Sequence, residues 1–300
     1  MKSNNEEIAI VDIGSNSVRL FIFSIRDDKA EQITAMKFFC GLGKDLGTTG
    51  FLNPDAVNLT QEALAKFRQE IAKYSITHEI VIGTAALREA KDAADFLQSA
   101  KERSGFDIRV ISGEEEARLA ALAILSSHRH AYGIVADFGG GSLELAKVGE
   151  GQILSKVSLK LGAHYLSVTE SGKNLIDAQL NDVLNKMPEF FQPANLYIIG
   201  GSWRSLAKAY LKDRGENSSD IDDRSLDVQK IKDFCLIIGK KEPVELIEAY
   251  SMEAPRAQLM DVSALMLEKI IAILQPAQVK VSKAGIRDGL VYDYILSRRH

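Results

Sequence analysis

The sequence predicts an α/β protein built from two duplicated halves, and a repeated glycine turn is the first observation behind this prediction. Residues 10–22 read IVDIGSNSVRLFI, and residues 135–147 read VADFGGGSLELAK. Each segment is an apolar run, a turn of small residues and a second apolar run, which is typical of a β-hairpin. With Asp12 aligned on Asp137, three more pairs share the offset: Gly14 with Gly139, Ser17 with Ser142, and Arg19 with Glu144.

A second repeated turn supports the duplication. Residues 80–90 read IVIGTAALREA and residues 197–207 read YIIGGSWRSLA, so each is a strand, a small-residue turn and the start of a helix. The two kinds of turn recur in the same order at nearly equal offsets. We therefore predict two domains, 1–125 and 126–300, whose turns face a shared cleft, with the last helix able to pack back on the first domain.

Alternating strands and helices are the third observation, and they favour the α/β class. The predicted helices cover residues 55–74, 91–103, 114–126, 177–190, 227–238, 243–250, 261–274 and 285–298. The predicted strands cover residues 8–13, 18–25, 79–82, 107–111, 133–137, 143–148, 196–199 and 278–282. The polar stretch 212–225 is predicted to be a surface loop.

Composition excludes several classes of protein. The 300 residues are 46% hydrophobic and 26% charged, which is ordinary for a globular chain. A net charge of −4 argues against duplex nucleic acid as the main partner, although a local basic groove would still bind a polyanion. The two cysteines, Cys40 and Cys235, fit no disulfide or zinc pattern. With no signal peptide or membrane span recognisable, we expect a cytoplasmic protein without membrane contact.

Both glycine turns suit phosphate, because consecutive backbone amides in a tight turn form a concave anion-binding nest. Serine and asparagine side chains add further donors. The candidate phosphate-binding residues are Ser15, Asn16, Ser17, Arg19, Gly139, Gly140, Gly141 and Ser142. Two plain hairpins are the alternative, but an aspartate precedes each turn.

Those aspartates, Asp12 and Asp137, indicate a cation. An anion beside a phosphate nest is unfavourable unless a cation lies between them, and Mg²⁺ prefers oxygen ligands and retained water. Glu144 stands on the returning strand and can face the same site, unless it is simply exposed. The candidate metal ligands, for Mg²⁺ or Mn²⁺, are thus Asp12, Asp137 and Glu144. Arg19 is the counterpart of Glu144, so one hairpin offers a guanidinium to phosphate and the other a carboxylate to metal.

Two further residues are candidates for catalysis. Glu116 lies in the first turn of a helix within the run SGEEEARLA, where Ser112 and Glu115 fit a capping box. Stabilisation of the helix N-terminus alone would explain these acidic residues. A carboxylate there could also take a proton from an attacking water. Arg88, in the first turn of another helix, is a candidate for binding phosphate oxygens during phosphoryl transfer.

These residues belong to eight ordered blocks through which the chain resembles the exopolyphosphatase and guanosine pentaphosphate phosphohydrolase (Ppx/GppA) family over nearly its full length. The blocks are DIGSNSVRL (12–20), GTAALREAKDAADF (83–96), SGEEEARLA (112–120), DFGGGSLEL (137–145), SLKLGA (158–163), IIGGSWRSLA (198–207), PRAQLMDVSAL (255–265) and SKAGIRDGLVYDY (282–294). The resemblance implies an actin-like, ribonuclease H-like fold of two domains, in a short form without extra C-terminal helical domains.

The resemblance also implies roles. Glu116 matches the general base of the family, Asp137 and Glu144 match its metal carboxylates, Arg88 matches its phosphate-binding arginine, and residues 15–17 match its SNS loop. The reaction implied is Mg²⁺-dependent hydrolysis of the terminal phosphate of polyphosphate, or of guanosine pentaphosphate (pppGpp) to the tetraphosphate. A homodimer is expected from the resemblance alone.

The chain departs from the family pattern at six positions, of which Ser202, in place of the threonine of a glycine turn, is the mildest change. Gly41 and Leu143 stand where arginine and threonine are common, and the bulky Trp203 follows a glycine turn. Gln258 and Ser263 replace an aspartate and a glycine of the late block. These changes thin the positive channel, and they bear on processivity and on preference for long polyphosphate more than on hydrolysis itself.

Two other functions remain open on the sequence alone. An ATP-dependent kinase of small metabolites would use the same fold with an adenine pocket at the turn 200–202, which Trp203 would crowd. A non-catalytic sensor would bind polyphosphate or pppGpp without turnover. The presence of Glu116, Asp137 and Glu144 argues against a sensor.

Overall fold

The computed structural model describes residues 6–168 and 170–298, without the side chains of 170–173. The chain forms two compact units. The first comprises residues up to Ser112 together with the segment from Leu290 onward, and the second is Gly113–Gly289. The first unit is therefore discontinuous in sequence. The domain boundary after residue 125 stays a prediction.

The strands of the described residues alternate with the helices along the chain. They are β1 (Glu6–Ile13), β2 (Ser17–Arg26), β3 (Lys29–Phe39), β4 (Ile76–Gly83), β5 (Arg109–Val110), β6 (Gly133–Phe138), β7 (Leu143–Gly149), β8 (Gln152–Leu159), β9 (Asn195–Ile199), β10 (Arg224–Leu226) and β11 (Gln278–Val281).

The helices include several of only one or two turns. They are α1 (Leu46–Thr49), α2 (Pro54–Ile71), α3 (Ala85–Glu89), α4 (Ala93–Ser104), α5 (Gly113–Ser127), α6 (Ala163–Val168), α7 (Glu170–Lys186), α8 (Gly201–Asp213), α9 (Val228–Ile238), α10 (Pro243–Tyr250), α11 (Ala254–Ala257), α12 (Met260–Leu274) and α13 (Ile286–Ser297), with a 3-10 turn at Pro188–Phe190.

The first unit is built on a mixed sheet in the order β3-β2-β1-β4-β5. β1 lies in the middle, antiparallel to β2 and parallel to β4, and its last six residues are all buried. Its near-continuous apolar run is typical of a strand covered on both faces. Helix α2 begins where the Asn53 side chain accepts a hydrogen bond from the Ala56 amide, and it buries Leu64 and Phe67 in the core.

The second unit repeats this design in the order β10-β11-β9-β6-β7-β8. Here β6 is the buried central strand, antiparallel to β7 and parallel to β9. Helix α12 fills the core with Val262, Met266 and Ile270, which recur at the helical period. Four successive strands of each unit thus share one topology, and the predicted α/β fold and its duplication are confirmed.

All predicted strands and helices are present, with ends shifted by at most four residues, except that α7 begins seven residues before its predicted start. The main strands missed are β3 and β8, in which no residue is buried, so neither carries the apolar alternation that marks a strand. The polar stretch 212–225 is a loop only in its middle, since α8 runs to Asp213 and β10 begins at Arg224. In the part of the chain that the structure describes, none of the helices combines the length and hydropathy of a bilayer span.

Candidate active site

The first glycine turn is anchored through its carbonyl oxygens. The Gly14 amide donates to the Ser17 carbonyl at 3.1 Å, which closes the turn. Amides in the segment 40–43 donate to the carbonyls of Ser15 and Asn16 at 2.9–3.2 Å. An anion nest uses amides rather than carbonyls, so this anchoring is compatible with phosphate binding at the predicted residues.

The second glycine turn has the same construction. The Gly139 amide donates to the Ser142 carbonyl at 2.9 Å, as in the first turn. The amides of Ala163 and His164, at the start of α6, donate to the carbonyls of Gly139 and Gly140 at 3.0 and 2.9 Å. Both predicted phosphate turns are therefore closed by an equivalent amide–carbonyl bond. Each is also held by amides of a segment further along the chain, although the carbonyls that accept these bonds differ by one position between the two turns.

Two predicted metal ligands are directly opposite each other in the second sheet. Asp137 on β6 is in register with Glu144 on β7, so both side chains lie on the same face. Asp137 is 9% exposed and Glu144 is 2% exposed. The alternative that Glu144 is an exposed strand residue is therefore wrong.

Burial and like charges act together on Glu144. Burial raises the pKa of its carboxyl well above the ordinary value, and the negative charges of Glu116 and Asp137 raise it further. Hydrogen bonds from the hydroxyls of Ser142 and Ser158 act in the opposite direction. Three acidic side chains of one unit thus sit close enough to repel one another, an arrangement that a bound cation would relieve.

Glu116 differs from the two acidic residues before it. Glu115 accepts two hydrogen bonds from the Arg118 guanidinium at 2.9 and 3.0 Å, and Glu114 lies 3.7 Å from Lys156. Glu116 is instead buried, at 5% exposure. The ion pairs explain Glu114 and Glu115 as stabilising surface charges, but they do not explain Glu116.

The donor set of the second unit fits Mg²⁺ or Mn²⁺. Gly200 has φ of 95°, and a Cβ there would stand 2.8 Å from Asp137 Oδ1, so only glycine keeps the space beside this oxygen open. The described residues include no group of three or more acidic, histidine or cysteine side chains arranged to hold a metal together. Mg²⁺ commonly takes one or two carboxylates and completes its shell with water and substrate phosphate, so Asp137 and Glu144 suffice.

The corresponding pair in the first unit has a different charge. Asp12 on β1 is directly opposite Arg19 on β2, and Arg19 Nη1 lies 3.7 Å from Asp12 Oδ2. Asp12 is therefore already beside a cation of the protein, whereas Asp137 faces a second carboxylate. The sequence pairing of Arg19 with Glu144 corresponds to the same position in the two sheets.

Arg88 is held by backbone groups. Its amide donates to the Thr84 carbonyl at 3.0 Å, and its Nη1 donates to the Ile111 carbonyl at 2.9 Å. Arg88 is half-buried. One edge of the guanidinium is thus fixed by the backbone.

The structure adds two residues that the motifs did not indicate. Ser158 Oγ donates to Glu144 Oε1 at 2.9 Å from the neighbouring strand β8. His164 contacts the second glycine turn through its amide, and burial lowers the pKa of its ring to about 4, so the ring is neutral at pH 7. Ser158 lies in the block 158–163 and His164 follows it directly. However, β8 was not recognisable as a strand, and its register was needed to find Ser158.

Trp203 lies in the core rather than at a ligand pocket. It is fully buried, its ring stacks on Phe138 with centroids 5.3 Å apart, and its Nε1 donates to the Ser263 carbonyl at 2.9 Å. The expectation that Trp203 would crowd an adenine site is therefore wrong. Phe138, on which it stacks, is the last residue of β6 and directly precedes the second glycine turn.

Comparisons with known proteins agree with this geometry. A model of the Ppx/GppA phosphatase family matches residues 21–298. A Vibrio cholerae guanosine-5'-triphosphate,3'-diphosphate pyrophosphatase is 25% identical over 316 residues, covering 97% of this chain and 60% of the relative. The chain thus spans about three fifths of the length of the curated relatives it matches.

Solved structures match along their whole length. The Aquifex aeolicus member of the Ppx/GppA family superposes with a TM-score of 0.80 at 25% identity, covering 98% of this chain and 99% of that one. An exopolyphosphatase from Cytophaga hutchinsonii superposes with a TM-score of 0.87 at 22% identity, covering 97% of this chain and 98% of that one. At this identity the match shows a shared fold and no more. The actin-like fold expected from the sequence blocks is confirmed.

Proposed function

Because the chain belongs to the Ppx/GppA phosphatase family, we propose that it hydrolyses the terminal phosphoanhydride bond of inorganic polyphosphate, of pppGpp, or of both. The observation that carries this proposal is the buried set of three carboxylates, Glu116, Asp137 and Glu144, in the unit that also holds the glycine turn Gly139–Ser142. The names of similar proteins, an exopolyphosphatase and a pppGpp-type pyrophosphatase, support the two substrates.

Asp137 and Glu144 are proposed to hold Mg²⁺ or Mn²⁺. When bound, the metal ion supplies charge neutralisation for phosphate oxygens. Glycine at position 200 keeps the space beside Asp137 Oδ1 free. Burial, and after it the negative charges of Glu116 and Asp137, raise the pKa of Glu144, and a bound cation would offset these charges. Asp12 is the third predicted ligand, and its ion pair with Arg19 gives it a further role in orienting that guanidinium.

Glu116 is the proposed general base. Its carboxylate would accept a proton from the water that attacks the terminal phosphorus in line with the leaving oxygen. Its side chain is buried in the same unit as Asp137 and Glu144. The two acidic residues before it on α5, the exposed Glu114 and the half-buried Glu115, are instead paired with Lys156 and Arg118.

The first unit would bind phosphate oxygens. The backbone and side chains of Ser15, Asn16 and Ser17 offer hydrogen-bond donors, while Arg19 and Arg88 offer guanidinium groups. In the second unit the turn Gly139–Ser142 would bind phosphate in the same way. In each unit these groups would stabilise negative charge on phosphate oxygens, and stabilisation of such charge is a main catalytic contribution in phosphoryl transfer.

The wider setting rests on the resemblance and composition. We propose a cytoplasmic enzyme whose partners are polyphosphate or guanosine penta- and tetraphosphate, with no duplex nucleic acid or membrane among its partners. A homodimer belongs to the same proposal.

Phosphate release measured in parallel from short polyphosphate, long polyphosphate and pppGpp tests the function. Wild type should release phosphate in the presence of Mg²⁺, and Glu116→Gln should lose roughly 10²- to 10⁴-fold in kcat, the usual contribution of a general base. Glu115→Gln is the matched control, because it makes the same change one residue earlier at a surface ion pair, and it should stay near wild type.

The same assay can overturn the proposal. Full activity of Glu116→Gln would remove Glu116 as the base. Absence of release from all three substrates by wild type would remove the hydrolase, and transfer of phosphate from ATP to a metabolite would establish the kinase instead.

A further inference from the structure

A row of three directly opposed residues crosses each sheet on one face. In the second unit the row is Asp137 on β6, Glu144 on β7 and Ser158 on β8. In the first unit the row is Asp12 on β1, Arg19 on β2 and Lys37 on β3. The first two positions of each row have roles in the proposed function, and the third position, Ser158 or Lys37, has none there.

We propose that Ser158 is a positioning residue that holds Glu144 in the orientation needed to bind the metal ion. This inference rests on the proposed function, since it concerns the metal site of that reaction. The Ser158 hydroxyl donates to Glu144 Oε1 at 2.9 Å, in a bond that is partly shielded from solvent. It leaves Oε2 of the same carboxylate for other partners.

The surroundings of Glu144 make an anchor necessary. The side chain is 2% exposed and is acted on by the negative charges of Glu116 and Asp137. Repulsion favours a rotamer in which the Glu144 carboxylate points away from Glu116 and Asp137, and water screens this repulsion little because the side chain is buried. The Ser142 hydroxyl also bonds to this carboxylate, but Ser142 belongs to the turn proposed to bind phosphate. Ser158 lies on a separate strand and is independent of that turn.

The charge of the third residue distinguishes the two rows. Lys37 occupies the position in the first unit that Ser158 occupies in the second, beside Arg19. A lysine beside Glu144 would form an ion pair and neutralise the carboxylate, and so compete with a metal ion. A serine hydroxyl orients the carboxylate and leaves its negative charge available. Hydrogen bonds of this kind to a metal-binding carboxylate tune metal affinity.

Direct measurement of Mn²⁺ binding, by calorimetry and by electron paramagnetic resonance without substrate, tests the proposal. Ser158→Ala should raise the Mn²⁺ dissociation constant by roughly 10- to 100-fold, as expected when a metal ligand loses its hydrogen-bond partner. Ser158→Thr keeps the hydroxyl and should restore affinity. Ser155→Ala is the matched control, because Ser155 lies on the same strand and donates to Glu189 at the same distance of 2.9 Å, in the open.

Kinetics give a second readout. In Ser158→Ala the metal concentration that half-saturates phosphate release should rise with the dissociation constant, while kcat at saturating metal recovers to within a few-fold of wild type. A merely structural serine would not shift the metal dependence in this way. If Ser158→Ala does not fold, the isosteric pair Ser158→Thr and Ser158→Val, both suited to a strand, carries the same comparison.

The outcomes separate the two proposals. Wild type that binds no Mn²⁺ contradicts the metal site of the proposed function. If wild type binds Mn²⁺ and Ser158→Ala binds it equally well, only the role of Ser158 is overturned. Equal binding by Ser158→Val and Ser158→Thr would have the same meaning. Weaker binding in the Ala and Val variants, with Ser155→Ala and Ser158→Thr unchanged, supports it.

Discussion

Glu144 illustrates a conflict between stability and the proposed chemistry in the second unit. Glu144 is nearly inaccessible to solvent and faces two further acids, so its ionised form costs free energy in the folded protein. An acidic group whose pKa is raised by folding lowers the free energy of unfolding of the protein as the pH rises from the unfolded pKa of the group towards its folded pKa. Above its ordinary pKa of 4.5, Glu144 therefore weakens the metal-free protein.

Glu144→Gln should stabilise the metal-free protein while it removes activity. At pH 8 with a chelator, we expect the free energy of unfolding in urea to rise by on the order of 1 kcal/mol, because the neutral amide removes a buried charge that lies beside two other carboxylates. At pH 4 the wild-type carboxyl is protonated, and the difference should disappear. Loss of stability at pH 8 would contradict the proposed repulsion, and phosphate release by the variant would contradict its place at the site.

At the scale of elements, the second glycine turn depends on close approach of two backbones. A Cβ on Gly162 would come within van der Waals overlap of the Gly141 backbone. Gly162 immediately precedes α6, whose first amides bond to the turn carbonyls. The turn and the start of α6 therefore form one tightly packed substructure, and neither can move without the other.

Gly162→Ala should disrupt this packing. We expect a loss of stability of about 2 kcal/mol or more, from overpacking against backbone that cannot rotate away, and a fall in kcat as the turn shifts. Gly285→Ala is the control, because a Cβ there meets nothing within 4 Å and its backbone is not left-handed. Thermal melting and phosphate release check both. Equal effects of the two substitutions would show that the contact is unimportant.

Strong local signals predicted most elements of the fold. The buried strands β1 and β6 carry long apolar runs, and the glycine turns after them mark the hairpins. Strands β3 and β8 lie half-exposed at the outer side of each sheet, so solvent imposes no apolar period on them and their sequences do not show it.

Prediction of the site was limited for the same reason. The sequence repeat indicated Asp137 through its counterpart Asp12, and it indicated Glu144 by its place on the returning strand, where the first half has Arg19. The hydrogen bond from Ser158 follows from the pairing of β8 with β7, which local sequence does not encode. Burial of Trp203 likewise follows from tertiary packing against Phe138.

At the scale of the whole molecule, the two distant ends of the described chain meet in the first unit. The Tyr294 hydroxyl donates to Glu6 Oε1 at 2.6 Å, and Arg298 Nη1 lies 2.9 Å from Glu6 Oε2. The ring of Tyr294 stacks on His78, with centroids 5.0 Å apart. The hydrogen bond from Tyr294 is the main cause that lowers the pKa of Glu6.

Tyr294→Phe should loosen this closure while keeping the stacked ring. At pH 7 we expect the free energy of unfolding to fall by about 1–2 kcal/mol, the usual range for a hydrogen bond to a partly exposed carboxylate. A carboxyl whose pKa is lowered by folding contributes stability above its unfolded pKa and loses it as the pH falls. The difference between variant and wild type should therefore shrink below pH 4.5.

Urea unfolding from pH 7 to pH 3 measures this effect. Tyr292→Phe, the same chemical change on the same helix, is the control and should have less influence on the pH dependence. A difference that stays constant across the acid range would show that Glu6 is not the partner that matters.

The discontinuous first unit has a consequence for synthesis on the ribosome. The strands of its sheet emerge early, but the segment from Leu290 onward emerges only after all of Gly113–Gly289. At about 5–20 residues per second, that interval lasts on the order of ten to thirty seconds. The continuous second unit can fold during this time, while the first waits with its last helix missing. The nascent first unit is thus the part of the chain with the longest need for chaperone protection.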